Sequence, residues 1–94
     1  VVWAPVAKLA EHFNAVSRWD EQRGMLILSV EGKTVKLVKD SRAIVINDTV
    51  TTMDAPTRMI NGCFFAPVRA VAEAFGRFVA WDGETRQVLI TERN

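Results

Sequence analysis

Trp3-Ala-Pro-Val-Ala-Lys-Leu-Ala-Glu-His-Phe13 lies over Phe65-Ala-Pro-Val-Arg-Ala-Val-Ala-Glu-Ala-Phe75 at a spacing of 62 residues, without a gap. The match continues, with Trp19-Asp20 on Trp81-Asp82. Eight of the 26 positions from Trp3 to Leu28 are identical. A repeat constrains architecture before any site is considered, because each copy must form the same supersecondary unit. A residue present in both copies belongs more naturally to the shared scaffold than to one half of a unique active site.

Each copy predicts helix, strand, turn, strand. Pro5 fixes φ near about −65° and lacks the N–H that a first helical turn leaves unused, so it can open a helix. Val6, Leu9, Ala10 and Phe13 follow at i, i+3, i+4, i+7, and Val68, Val71, Ala72 and Phe75 repeat that apolar stripe. Asn14 and Gly76 then fall at the same place. These two residue types best tolerate the left-handed conformation that ends helices. Ala15 to Trp19 and Arg77 to Trp81 read as strands. The polar runs Asp20 to Gly24 and Asp82 to Arg86 turn the chain, and Met25 to Val30 and Gln87 to Thr91 return it. One such unit, a short helix on a hairpin, is marginal in water.

The segment between the copies is also β. Glu31-Gly32 turns the chain into Thr34 to Val38, Asp40-Ser41 interrupts, and Ala43 to Ile46 resumes. Asn47-Asp48 is a two-residue hairpin turn into Thr49 to Thr52, and Asp54-Ala-Pro56 is a loop. Asn61-Gly62, the strongest turn dipeptide in the chain, joins Arg58 to Ile60 with Cys63 to Phe65. The expectation is one α+β domain, residues 1–94, rich in antiparallel β structure. A curved sheet carries two short helices related by an approximate internal twofold. The repeats span about 1–30 and 63–92, joined by a hairpin segment, 31–62. The expected core is Val6, Leu9, Phe13, Trp19, Leu26, Leu28, Val68, Val71, Phe75, Trp81, Val88 and Ile90.

Ninety-four residues suffice for one modest core. With 49% hydrophobic and 24% charged residues the chain is globular rather than disordered. Net charge is +1, which gives no electrostatic footprint for nucleic acid. Lys33, Lys36, Lys39 and Arg42 read as the solvated face of a strand pair. No apolar run approaches the roughly 18 residues of a membrane span, and no leader pattern is present. The chain opens inside an apolar pattern at Val1-Val2-Trp3, with Val1 at the place of Cys63 in the second copy, so it reads as a piece of something longer. Cys63 has no partner for an internal disulfide and is expected to be a small buried hydrophobe.

Asn61-Gly62, Pro67, Arg69, Glu73, Gly76 and Trp81-Asp82, followed by Val88-Leu89-Ile90, resemble the copper amine oxidase N-terminal, or stalk, domain family. Met53 to Pro56 and Ile44 to Asn47 fit that family's lead-in, so the likeness covers essentially the whole chain. The chain departs from it at Cys63, where a long basic or polar residue is usual. In the first copy Ala7 replaces the Arg and Asn14 the Gly. The resemblance implies a bacterial extracellular or cell-envelope location and a non-catalytic accessory role in spacing, assembly or partner binding. It implies other domains of the parent protein, or a cell-surface protein or glycan, as partners, with no cofactor. Copper amine oxidation needs a tyrosine-derived quinone and three histidines, whereas this chain has no tyrosine and a single histidine, His12.

His12 belongs to the polar side of the first helix, and Glu11, its sequence neighbour, cannot face it there. Glu11 with Glu73, and Asp20 with Asp82, are carboxylates paired by repetition. A small hydrolase could set such a pair across a cleft, but an Asp at the end of a strand more often binds the N–H groups of the turn after it. Glu73 can pair with Arg69 one turn earlier. Phe64 and Phe78 face only aliphatic counterparts, Val2 and Val16. Together with Trp3 and Arg69 they form the candidate ligand or partner surface, and exposed aromatics among them would suit a carbohydrate-binding module. Exposed sheet edges also invite strand exchange between two copies. No phosphate loop, Ser-His-Asp arrangement or zinc-spaced Cys/His cluster occurs.

Overall fold

The computed structural model describes residues 2–82 and 87–92, with side chains throughout except at Phe78, Ala80 to Asp82, Gln87 to Leu89, Thr91 and Glu92. The chain runs β1 (Trp3–Pro5), α1 (Val6–His12), β2 (Val16–Asp20), β3 (Met25–Val30), β4 (Lys33–Val38), β5 (Ala43–Ile46) and β6 (Thr49–Thr52). It continues through β7 (Arg58–Ile60), β8 (Cys63–Pro67), α2 (Val68–Ala74), β9 (Arg77–Asp82) and β10 (Gln87–Glu92). This is an α+β fold, rich in antiparallel strands, with two short helices.

The helices begin and end as the sequence dictates, with one shift. Pro5 and Pro67 are the last residues of their strands and stand at the N-cap, with φ −60° in both and ψ 126° and 124°. That extended ψ places each proline just outside its helix, one residue earlier than a first-turn position. Each helix has seven residues. Asn14 and Gly76 both adopt positive φ, 57° and 73°, and each N–H closes on the last turn, to Glu11 O at 3.2 Å and Glu73 O at 2.9 Å.

The strands form three antiparallel sheets, ordered β1-β8-β7, β10-β9 and β2-β3-β4-β5-β6, instead of the single curved sheet expected. The two-residue turns set the registers. Asn61-Gly62 (φ 51° and 80°) closes Ile60 on Cys63, and Asn47 (φ 55°) closes Ile46 on Thr49. β1 and β8, each of which feeds a helix, pair with one another: Trp3 lies opposite Pro67 and Pro5 opposite Phe65.

The core lies between the helices and one face of the five-stranded sheet. Val6, Leu9, Phe13, Leu26, Leu28, Val68, Val71 and Phe75 are buried as expected, and Ile90 packs partly against them. Phe13 and Phe75 stack at 5.0 Å with 27° between their planes. Trp19 departs from expectation. It is 41% exposed, because β2 is the edge strand of its sheet. Trp81 and Val88 have side chains outside the described set. Val35, Leu37 and Ile44 complete the core from the linking strands. The loop after β6 also contributes: Met53 and Ala55 are buried, and Thr57 is 1% exposed. Thr57 is satisfied on both sides, its hydroxyl donating to Val38 O and its N–H to Ser41 O at 3.0 Å.

Two further expectations change. Cys63 is exposed. Alternation along β8 puts Phe64 and buried Ala66 on the core face and Cys63, Phe65 and Pro67 on the other. Lys33 is half-buried rather than simply solvated. Its Nζ donates to Ala74 O at 2.9 Å, giving the C-terminal end of α2 a cation. Lys36 is also half-buried, while Lys39 and Arg42 are exposed.

Candidate docking surface

The sequence-derived surface residues do not converge. Trp3 is half-buried on the face of the three-stranded sheet that bears Phe65 and Pro67. Its Nε1–H donates to Pro56 O at 3.0 Å, and the Arg58 guanidinium sits 4.3 Å from its ring centroid. That cation–π stack occupies one face of the indole. Phe64, one residue along the alternating strand, points to the opposite face and packs against the core. Arg69 lies exposed on α2, with Nη1 3.9 Å from Glu73 Oε1 and 3.4 Å from Val79 O. An exposed pair of this kind contributes only a few tenths of a kcal/mol. The side chain of Phe78 lies outside the described set.

Two surfaces were not singled out by the sequence. One is an aromatic seam where the three-stranded and five-stranded sheets approach. Trp19 reaches over from β2 and meets Phe64 at 5.6 Å, tilted by 59°. Met59, opposite Phe64, is 39% exposed beside it. The other is the outer face of the five-stranded sheet, directed away from the core. Cross-strand register sets Arg18, Ile27, Lys36, Val45 and Val50 in one row across all five strands. Met25 and Val38 pair in a neighbouring row. The signal in the sequence was the unbroken run Met25-Leu-Ile-Leu28 together with Ala43 to Ile46. Such runs mark strands apolar on both faces.

The carboxylates behave as turn elements. Asp20 Oδ1 accepts the Arg23 N–H at 3.2 Å, and Oδ2 accepts the Arg23 guanidinium at 2.9 Å. The side-chain bond from Arg23, then the backbone bond, hold the Asp20 carboxyl below its ordinary value. A shallow depression of about 340 Å³ is lined by residues 18–23. Glu11 and Glu73 are exposed on separate helices, and the Asp82 side chain is outside the described set. His12 is exposed on α1, its ring edge-on to Phe13 at 5.1 Å. Among the described residues no three His, Cys, Asp or Glu side chains cluster to hold a metal, and no helix is long and apolar enough to cross a membrane.

These features define a small β-rich scaffold whose individuality lies in sheet edges and sheet faces. The chain belongs to the copper amine oxidase N-terminal domain family, whose model matches residues 1–90. That membership is consistent with a non-catalytic accessory domain. No curated protein matches the chain.

Proposed function

We propose that this domain is a non-catalytic accessory module of an extracellular or cell-envelope protein of a bacterium, one that spaces or docks larger units. The family match over residues 1–90 supports the accessory role. The observation that carries docking is the outer face of the five-stranded sheet. Ile27 stands there between the cations of Arg18 and Lys36, Val45 stands between Lys36 and Val50, and none of these three apolar residues belongs to the core cluster. Apolar side chains interspersed with charge outside the core suit a protein contact surface. We further read the two matched segments as one repeated unit, supported by the paired prolines, the paired left-handed residues and the Phe13–Phe75 stack.

A glycan-binding reading needs two exposed aromatic rings in one plane. Trp19 and Phe64 are tilted by 59°, and Phe13 and Phe75, although stacked, are buried. The described geometry therefore favours a protein partner. The test is retention of cell-envelope protein and of peptidoglycan on the immobilised domain, with Ile27→Lys and Val45→Lys variants in parallel. Protein retention that both variants abolish supports the proposal. Retention indifferent to both variants, or retention of glycan alone, refutes it.

A further inference from the structure

We propose that two copies of this chain join through the free edge of β2, antiparallel and centred on Trp19. The inference rests on the docking reading and gives that module a second copy of itself as partner. A sheet edge presents a row of unpaired N–H and C=O groups, and proteins normally blunt it with proline, lysine or a bulge. β2 has none of these. It is five residues long, contains no Pro or Lys, and pairs with β3 in unbroken register from Val16 to Asp20. Among the edges whose side chains are described, the others are poorer. β1 ends in Pro5, and β7 offers the cation of Arg58 with no acidic residue to oppose it. β6 is Thr-Val-Thr-Thr, with little apolar surface to bury. On β2, by contrast, Val16 is 72% and Trp19 41% exposed.

The charges select the register. With Trp19 opposite its own mate, residues 18–20 of the two strands pair and Arg18 of each copy faces Asp20 of the other, giving two opposed pairs, while Val16 and Ser17 reach past the mate's strand to its turn. Centring on Arg18 would confront two guanidinium groups, and centring on Ser17 would set Arg18 against Val16. Opposite charges directly across an antiparallel pair stabilise it, and like charges destabilise it. Asp20 already accepts two bonds from Arg23, but a carboxylate has about four acceptor sites, so capacity remains for the mate's Arg18. On the core-side face the two indoles meet at the dyad, each backed by its own Phe64. The pairing joins two five-stranded sheets into a single ten-stranded one.

Sedimentation equilibrium of the 94-residue domain tests this. Association should approach twice the 10.5 kDa chain mass, with a Kd on the order of 100 µM or tighter for so short an interface. Trp19→Lys sets two ammonium groups at the dyad and should weaken association at least about tenfold. Arg18→Glu confronts carboxylate with carboxylate, and Asp20→Lys confronts cation with cation, so each alone should be monomeric. An equimolar mixture of those two variants restores both opposed pairs and should associate again. Should Asp20→Lys fail to fold by far-UV circular dichroism, Trp19→Lys and Arg18→Glu still decide the matter. A wild-type monomer at about 1 mM, a dimer indifferent to these substitutions, or a mixture of folded variants that stays monomeric overturns the inference. None of those results touches the docking reading, which is decided by the retention assay with its outer-face variants Ile27→Lys and Val45→Lys.

Discussion

Replacing Phe13 and Phe75 by leucine, singly and together, measures how strongly the two helical segments depend on one another. The rings stack at 5.0 Å and are 5% and 8% exposed, so each is a core side chain whose loss is not relieved by solvent. Truncating a buried Phe to Ala costs about 3–5 kcal/mol, and leucine keeps much of the volume, so each single change should cost roughly 1–2 kcal/mol. A domain of this size is stable by roughly 5–14 kcal/mol, and both single variants should remain folded. The stacked geometry adds about 0.5–1.5 kcal/mol beyond burial. That increment is lost once in either single variant and only once in the double. The double variant should therefore be more stable than the summed single costs predict, by about 0.5–1.5 kcal/mol. The Arg77 guanidinium, 5.9 Å from the Phe13 ring, does not confuse the measurement. Its contact with that ring disappears in both Phe13→Leu backgrounds and cancels in the cycle. Urea unfolding followed by far-UV circular dichroism, with a constant m-value, reads the four stabilities. Additivity within about 0.3 kcal/mol would refute the coupling of the two segments through this pair.

Gly76→Ala should cost about 1 kcal/mol. A Cβ there meets no atom within 4 Å, so the whole penalty is the left-handed φ of 73°, and a loss above about 3 kcal/mol by urea unfolding would contradict it. Asp20 should titrate below 3.8, its ordinary value. Because the folded value is depressed, its contribution to stability is present above 3.8 and disappears as pH falls through the folded value. Carbon-13 titration of the Asp20 carboxyl should show Arg23→Gln moving the midpoint back up, and an unmoved midpoint would discard Arg23 as the cause. Thr57→Val should destabilise by about 1 kcal/mol by removing one of the two hydrogen bonds that Val38 O accepts, the other coming from the Ser41 N–H, whereas Thr57→Ser should retain the bond and cost less. Losses as large for Thr57→Ser as for Thr57→Val would refute the hydroxyl bond as the leading contribution of this residue. Cys63, being exposed, should react with a thiol reagent in the native state, and protection until unfolding would reverse its placement.

Local chemistry made the helices and hairpins legible. Proline followed by a stripe at i, i+3, i+4, i+7 located both helices, and Asn14 and Gly76 marked their ends by a shared conformational tolerance rather than a shared side chain. Asn61-Gly62 and Asn47-Asp48 specified registers because two-residue turns leave no freedom of slip. What could not be read was position within the assembled sheets. Trp19 carries the same letter as Trp81 and the same apolarity as the core, yet edge or centre is decided by which strand pairs beyond it, a non-local fact. Cys63-Phe64-Phe65 gave no phase, since three apolar residues in a row fit either alternation. Val35 and Leu37 alternate around Lys36, a period of two that marks one buried face, yet the expected core left them out, and both are fully buried. Thr57 gave no signal: a hydroxyl is buried here only because Val38 O is within its reach.

The partition of side chains is the physical basis of the docking we propose. The inner face of the five-stranded sheet and the two helices use their apolar residues on one another, so Val6, Leu28, Val35, Leu37 and Val71 are fully covered. The polar groups that approach the interior are used in closing the fold: Lys33 on the end of α2, Thr57 on β4, Asp20 on its own turn. Among the described residues the remaining titratable groups are spread over loops, strands and helices, and no three His, Cys, Asp or Glu cluster to hold a metal. Apolar surface does remain, and it is distributed unevenly, on the outer face along Ile27, Val45 and Val50 and at the β2 edge around Val16 and Trp19. Excluding water from these patches is the driving force on which the proposed docking rests. The charges beside both patches, Lys36 and Arg18 on the face and Arg18 with Asp20 at the edge, then decide which surface and in what register.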